Sequence, residues 1–206
     1  MSIFCKKYKC CFIGAFGSGK TSFICSVLGM SNNKIQSTLG IDFFTATICV
    51  QDTNARVSLW DTAGSERFRS LTESYVRDSD IVFIIYDLTD RNAMASVVQE
   101  FRYLENCRPQ LVAVVGNKTD LIPAVTHDVH DTIEPWARQG WNIVTGTCST
   151  RQPNSTKKIF LRCLNQVVEA PGTVPPANVT VKLIPRKPNP KTCCTPANAL
   201  ALFSDI

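Results

Sequence analysis

The sequence predicts an α/β fold, a mostly parallel six-stranded sheet with one antiparallel strand and helices on both faces. Three observations carry this. Ile81 to Tyr86 and Leu111 to Val115 are short, continuous apolar runs, suited to strands covered on both faces. Between and after them stand segments with apolar residues at helical spacing, such as Val97, Phe101 and Leu104. Strands that alternate with helices give a parallel sheet, and such a sheet binds its ligand at the C-terminal strand ends. Third, a glycine-rich turn joins the first apolar segment to the first helix. With 206 residues, 44% of them apolar and 19% charged, the chain has material for one full core. We expect one domain over residues 1–170 and a tail over 171–206.

The first strand is the apolar segment Tyr8, Cys10, Cys11, Phe12, Ile13, and Thr21 to Leu28 begins a helix. Between them Gly14, Ala15, Phe16, Gly17, Ser18, Gly19, Lys20 and Thr21 fit the phosphate-loop pattern G-x-x-x-x-G-K-[ST]. Such a loop needs glycine because its backbone N–H groups turn inward around phosphate oxygens, while the helix directs its positive dipole end at the same anion. Lys20 then reaches the outer phosphates and the Thr21 hydroxyl ligates Mg²⁺. Ser31 to Ser37 is polar, a loop, and leads to Thr38. Phe44, Ala46, Ile48 and Val50 alternate as in a half-buried strand, Asp52-Thr53-Asn54 is a turn, and Arg56 to Trp60 runs back as a hairpin partner. The hairpin delivers Asp61-Thr62-Ala63-Gly64 just after a strand end. There an Asp can hold Mg²⁺ through water and a Gly N–H can approach a terminal phosphate.

A helix is expected from about Asn92 to Asn106. After the strand that begins at Leu111 comes Asn117-Lys118-Thr119-Asp120. A carboxylate placed like that of Asp120 can accept two hydrogen bonds from the N1–H and exocyclic amine of guanine, and adenine offers no such pair. Thr126 to Gln139 reads as a helix interrupted near Pro135, Trp141 to Gly146 as the last strand, and Asn154 to Glu169 as the last helix. His127 and His130 stand among polar residues and read as solvated.

The net charge of +5 divides into +3 beyond Ala170 and +2 before it, too small a surplus for nucleic acid to be the main partner. No stretch has the roughly 18 to 20 apolar residues of a membrane span, and the first residues lack the order of a signal peptide, so a cytosolic protein is expected. The ten cysteines sit largely in apolar runs or as adjacent pairs, without zinc spacing. Seven of the eleven prolines follow Ala170, with Lys182, Arg186, Lys187, Lys191 and the pair Cys193-Cys194, which reads as an extended tail.

Taken in order, the phosphate loop, Thr38, Asp61-Thr62-Ala63-Gly64 and Asn117-Lys118-Thr119-Asp120 resemble those of a Ras-superfamily small GTPase. The strings Trp60 to Phe68, Ser74 to Ser79 and Thr38 to Phe43 are similar to the Rab family, most closely its Golgi-transport branch, over roughly residues 8 to 169. The resemblance implies a phosphate-loop G domain binding GTP or GDP with Mg²⁺. Gly14 to Thr21, with Ser22, would hold phosphate, Thr21, Thr38 and Asp61 the metal, and Thr38 and Gly64 would sense the γ-phosphate, with Lys20 and Gly64 serving the reaction. Asn117, Lys118 and Asp120 would read guanine. The family's Ser-Ala-Lys element appears as Thr147-Cys148-Ser149, which can offer the Cys148 N–H to the guanine oxygen. Implied partners are guanine-nucleotide exchange factors, GTPase-activating proteins and trafficking effectors, in the cytoplasm and on the cytosolic face of endomembranes, the Golgi above all.

The chain also departs from that pattern. Ser65 stands where the family has the glutamine that orients attacking water, and Phe16 where it has a smaller residue. No aromatic side chain stands near Asn32 to stack on guanine. Cys193 and Cys194, the lipidation candidates, are followed by twelve residues that do not form a C-a-a-X terminus. The expectation is a Rab-like GTP/GDP switch in vesicle trafficking with impaired hydrolysis. A GTP-binding scaffold with negligible hydrolysis is the first alternative, and a phosphate-loop kinase or ATPase the second.

Overall fold

Strand β1 (Lys6–Ile13) is solvated at its first two residues and buried over its last four, because it runs into the middle of the sheet. In the computed structural model, which describes residues 6–30, 38, 40–50, 53–64, 74–122 and 129–168, β1 is followed by α1 (Lys20–Val27), β2 (Ile41–Val50), β3 (Thr53–Thr62) and β4 (Ile81–Asp87). Then come α2 (Ala93–Leu104), β5 (Leu111–Asn117), a single 3-10 turn (Thr119–Leu121), α3 (Val129–Arg138), β6 (Ile143–Thr147) and α4 (Pro153–Val168). Ser65, Cys193, Cys194 and the expected tail lie outside the described residues.

The sheet order is β2-β3-β1-β4-β5-β6, with β2 antiparallel to β3 and every other pairing parallel. This is the expected α/β sheet. From β1 the chain departs to one side, to β2 and β3, and later returns to the other side as β4. A crevice therefore opens at the C-terminal end of β1, where the phosphate loop begins.

The apolar alternation of the strands divides the core between the two faces. On one face Phe23 and Ile24 of α1 and Phe160, Cys163 and Leu164 of α4 pack on Phe12 and Phe83. Phe83 stacks on Phe12 with ring centroids 4.7 Å apart and on Phe160 at 5.6 Å. On the other, Val97, Phe101 and Leu104 of α2 and Ile133 and Trp136 of α3 cover Val82, Ile84 and Val114. Each of these fully buried rings is worth about 1.5–3 kcal/mol in removal from water, which rigidly seats the strands whose ends carry the motifs.

Two local expectations are corrected. Helix α3 does not break at Pro135 but runs through it to Arg138. Pro135 is exposed, so the Asp131 carbonyl deprived of its N–H partner can be satisfied by water, and Ile133 and Trp136 anchor the helix on either side. Asp61 lies inside β3 and not after it, because the register carries Asp61 between Phe12 of β1 and Asp42 of β2. Its carboxylate is thus fixed by strand pairing on both sides.

Candidate nucleotide-binding site

The phosphate loop leaves β1 at Gly14 and enters α1 at Lys20, with Thr21 and Ser22 in the first turn. Its backbone is a path for glycine: Gly19 has φ 96°, and a Cβ there would overlap the Asn117 Nδ2. Phe23 N–H donates to Gly19 O at 2.8 Å, the first bond of the helix. Lys20 is 6% exposed, and its Nζ donates to Gly14 O at 2.9 Å and Ala15 O at 3.0 Å. Burial lowers the Lys20 pKa, a tendency opposed by the carboxylate of Asp61. An ammonium has three donors, and these two carbonyls leave one for an anion at the loop.

Three residues far apart in sequence meet beside Lys20. Thr21 Oγ1 donates to Asp61 Oδ2 at 2.5 Å, Thr38 Oγ1 donates to the same oxygen at 3.1 Å, and the two hydroxyls are 3.0 Å apart. Asp61 is 0% exposed, and its other oxygen, Oδ1, has no hydrogen-bond partner among the described residues. Burial raises its pKa, against the two hydroxyls and Lys20, which lower it. Hard oxygens clustered about a buried carboxylate with an unused oxygen are the donor set that suits Mg²⁺. The residues present therefore fit the ion. When bound, Mg²⁺ would neutralise charge on phosphate oxygens, with Thr21, Thr38 and Asp61 as its protein-side support.

Gly64 ends the described part of its loop against the phosphate loop. A Cβ at Gly64 would lie 2.5 Å from the Phe16 N and 2.6 Å from its Cα, so only glycine permits this approach. The Phe16 side chain is turned outward and is 72% exposed.

On the base side, Asn117 is the tie between motifs. It is 1% exposed, its Nδ2 donates to Ser18 O at 2.9 Å, and its Oδ1 accepts from the Thr150 N–H at 3.2 Å. Lys118 adopts φ 69° and its Nζ reaches Asp87 Oδ2 at 2.6 Å. Asp120 begins no strand or α-helix but lies in the 3-10 turn, and Ser149 Oγ donates to its Oδ1 at 2.5 Å. That bond, first of all, holds the Asp120 carboxyl below the usual range, with Arg151 adding to it at 3.2 Å from Oδ2. The carboxylate is thus kept ionised and aimed.

The element expected at Thr147-Cys148-Ser149 is displaced by the sheet. Thr147 is exposed at the end of β6, opposite Gly116, and the Cys148 N–H is spent on Gly116 O at 2.8 Å. Cys148 is 1% exposed, and burial pushes its thiol up to about 12, so it remains a protonated core residue. The Cys148 N–H is therefore not available to the guanine oxygen. What contacts Asp120 is the Ser149 hydroxyl and the Arg151 cation, and between them the Thr150 N–H donates to Asn117 Oδ1. Sequence reasoning missed Thr150 and Arg151, although Ser149-Thr150-Arg151 itself keeps the hydroxyl, small residue and cation of the Ser-Ala-Lys element.

A model of the Ras family matches residues 9–169, more than three quarters of the chain. That span runs from β1 to the end of α4 and takes in every one of these motifs. The phosphate loop, the oxygen cluster and the Asn117-centred loop are set as a guanine-nucleotide switch requires, and the chain belongs to the Ras family of small GTPases.

Proposed function

We propose that this chain is a Rab-like switch of vesicle trafficking, in which bound GTP engages Thr38 and Gly64 together and slow hydrolysis releases them. The observation that carries the switch is the convergence of Thr21, Thr38 and Asp61. Thr38 stands just before β2 and Gly64 just after β3, so one terminal phosphate can hold the ends of both hairpin strands. Phosphate is bound by Gly14 to Thr21 and guanine by Asn117, Lys118 and Asp120, with Ser149 and Arg151 bracing Asp120. The scaffold alternative draws on Phe16, whose outward ring stands where a partner's arginine would enter, and on Ser65, whose short hydroxyl replaces an amide.

The Rab assignment draws on a row of rings that joins the hairpin to Tyr75. Phe43, 49% exposed, packs on Trp60 at 4.6 Å, and Trp60 packs on Tyr75 at 5.1 Å with the Lys9 ammonium 5.6 Å from the Trp60 ring. An exposed aromatic edge attached to both switch strands is what an effector would read. Exchange of GDP for a non-hydrolysable GTP analogue is expected to change tryptophan emission in the full chain, and Trp60→Phe to remove most of that change. An emission unaltered by the exchange would overturn the switch reading.

Membrane attachment falls to Cys193 and Cys194 together with the four basic residues of the tail, each worth about 1 kcal/mol near an anionic leaflet. Charge alone holds weakly, and stable anchoring takes a second signal, a lipid. In its own cells the full chain is expected on endomembranes and the Cys193→Ser/Cys194→Ser variant in the soluble fraction. Equal distribution of the two would show that these thiols do not anchor it.

A further inference from the structure

Asp87 is the last residue of β4 and lies opposite Asn117 in the sheet register, yet it belongs to none of the nucleotide motifs. Both of its oxygens are used. Oδ2 accepts from Lys118 Nζ at 2.6 Å, and Oδ1 accepts from the Thr89 N–H at 2.9 Å and the Thr89 hydroxyl at 2.7 Å. Leu88 N–H donates to Asn117 O at 3.1 Å, so the two strand ends are locked by backbone as well. Burial opposes ionisation of Asp87, but the Lys118 ammonium and the Thr89 donors outweigh it and hold the carboxyl below its usual range.

The geometry points to Asp87 as a positioning residue for guanine-nucleotide retention, acting through Lys118; this rests on the guanine-site reading given above. A lysine side chain left to itself samples many rotamers, and the loop that follows β5 is short and exposed. Lys118 is constrained at both ends, by a left-handed backbone with φ 69° and by an ion pair whose carboxylate is itself oriented by Thr89. Its side chain is only 31% exposed. The four-carbon stem between these two anchors becomes a fixed apolar wall on the loop that carries Asp120. Such a wall can delay escape of a flat base without donating or accepting anything. This chain needs it, because no aromatic stands near Asn32 to cover the base.

Pre-organisation acts mainly on the dissociation rate. With fluorescently labelled GDP and Mg²⁺ on the full chain, Asp87→Asn is expected to dissociate about tenfold faster, with the association rate within about twofold of wild type. Lys118→Met keeps the stem and loses its tether, and is expected to accelerate dissociation similarly. The double variant should then be no faster than the single ones, since both remove one device. Rates that multiply in the double variant, or a wild-type off-rate in Asp87→Asn, would overturn the proposal. Thr89→Val, which removes only the hydroxyl bracing Asp87, should give a smaller acceleration and serves should Asp87→Asn fold poorly; an unchanged rate there would count against it. The wild type's preference for GDP over ADP in the same assay separates the two levels. If it is absent, the guanine-site reading fails; if it is present while the variants dissociate normally, only the role of Asp87 fails.

Discussion

Replacement of Asp120 by alanine is expected to bring the affinity for GTP down to within about tenfold of that for ATP. A site built to hydrogen-bond particular donors rejects an analogue that lacks them by roughly 10⁴-fold, because its own polar groups are then left unpaired. Here Ser149 Oγ at 2.5 Å and Arg151 at 3.2 Å keep the carboxylate charged and oriented, as acceptance from guanine would require. Alanine removes the acceptor, and with it the bond from Ser149 Oγ and the ion pair with Arg151. Titration of the nucleotide-free full chain with GTP, GDP and ATP measures this directly. Unchanged GTP affinity in Asp120→Ala would refute the guanine assignment, and equal affinity of the wild type for GTP and ATP would favour the kinase or ATPase alternative. Ser149→Ala should lie between, since it removes one bond that orients Asp120 and not the acceptor itself.

Intrinsic hydrolysis is expected to fall below about 10⁻⁴ s⁻¹, the slow rate of small GTPases that have the orienting glutamine. A serine hydroxyl is too short to accept from the attacking water and donate to the phosphate at once, as an amide does. Ser65→Gln should therefore accelerate single-turnover phosphate release by on the order of 10- to 100-fold. Phe16 acts differently. Its ring is 72% exposed while its backbone lies against Gly64, so it is expected to obstruct approach from outside and to leave the loop's own N–H groups in place. Phe16→Gly alone should then change intrinsic release little, and its effect should emerge when an activating protein supplies an arginine. If glutamine at position 65 gives no acceleration, Ser65 does not limit the rate. A rate at or above about 10⁻⁴ s⁻¹ in the wild type would end the impaired-hydrolysis reading altogether.

The features legible before folding are those that depend on near neighbours. The phosphate loop is legible because glycine backbone freedom, the lysine and the helix start lie within eight consecutive residues, and the strands because continuous apolar runs have few other homes. Asn117 to Asp120 is legible for the same reason, a short motif at the end of a buried strand. Tertiary structure alone decided which distant groups meet. The bond from Asn117 to Ser18 O joins residues 99 apart, and that from Ser149 to Asp120 joins residues 29 apart. Both exist only once β5 has been paired between β4 and β6. The same pairing committed the Cys148 N–H to Gly116 and so moved the base-side element to Ser149-Thr150-Arg151, two residues beyond the place expected from the strand end. Pro135 shows the converse: its local helix-breaking tendency was overridden by Ile133 and Trp136 packed against the sheet. Asp87 had no motif to announce it. The role proposed for it rests on lying beside Asn117 in register, within reach of Lys118, and register is a property of the folded sheet.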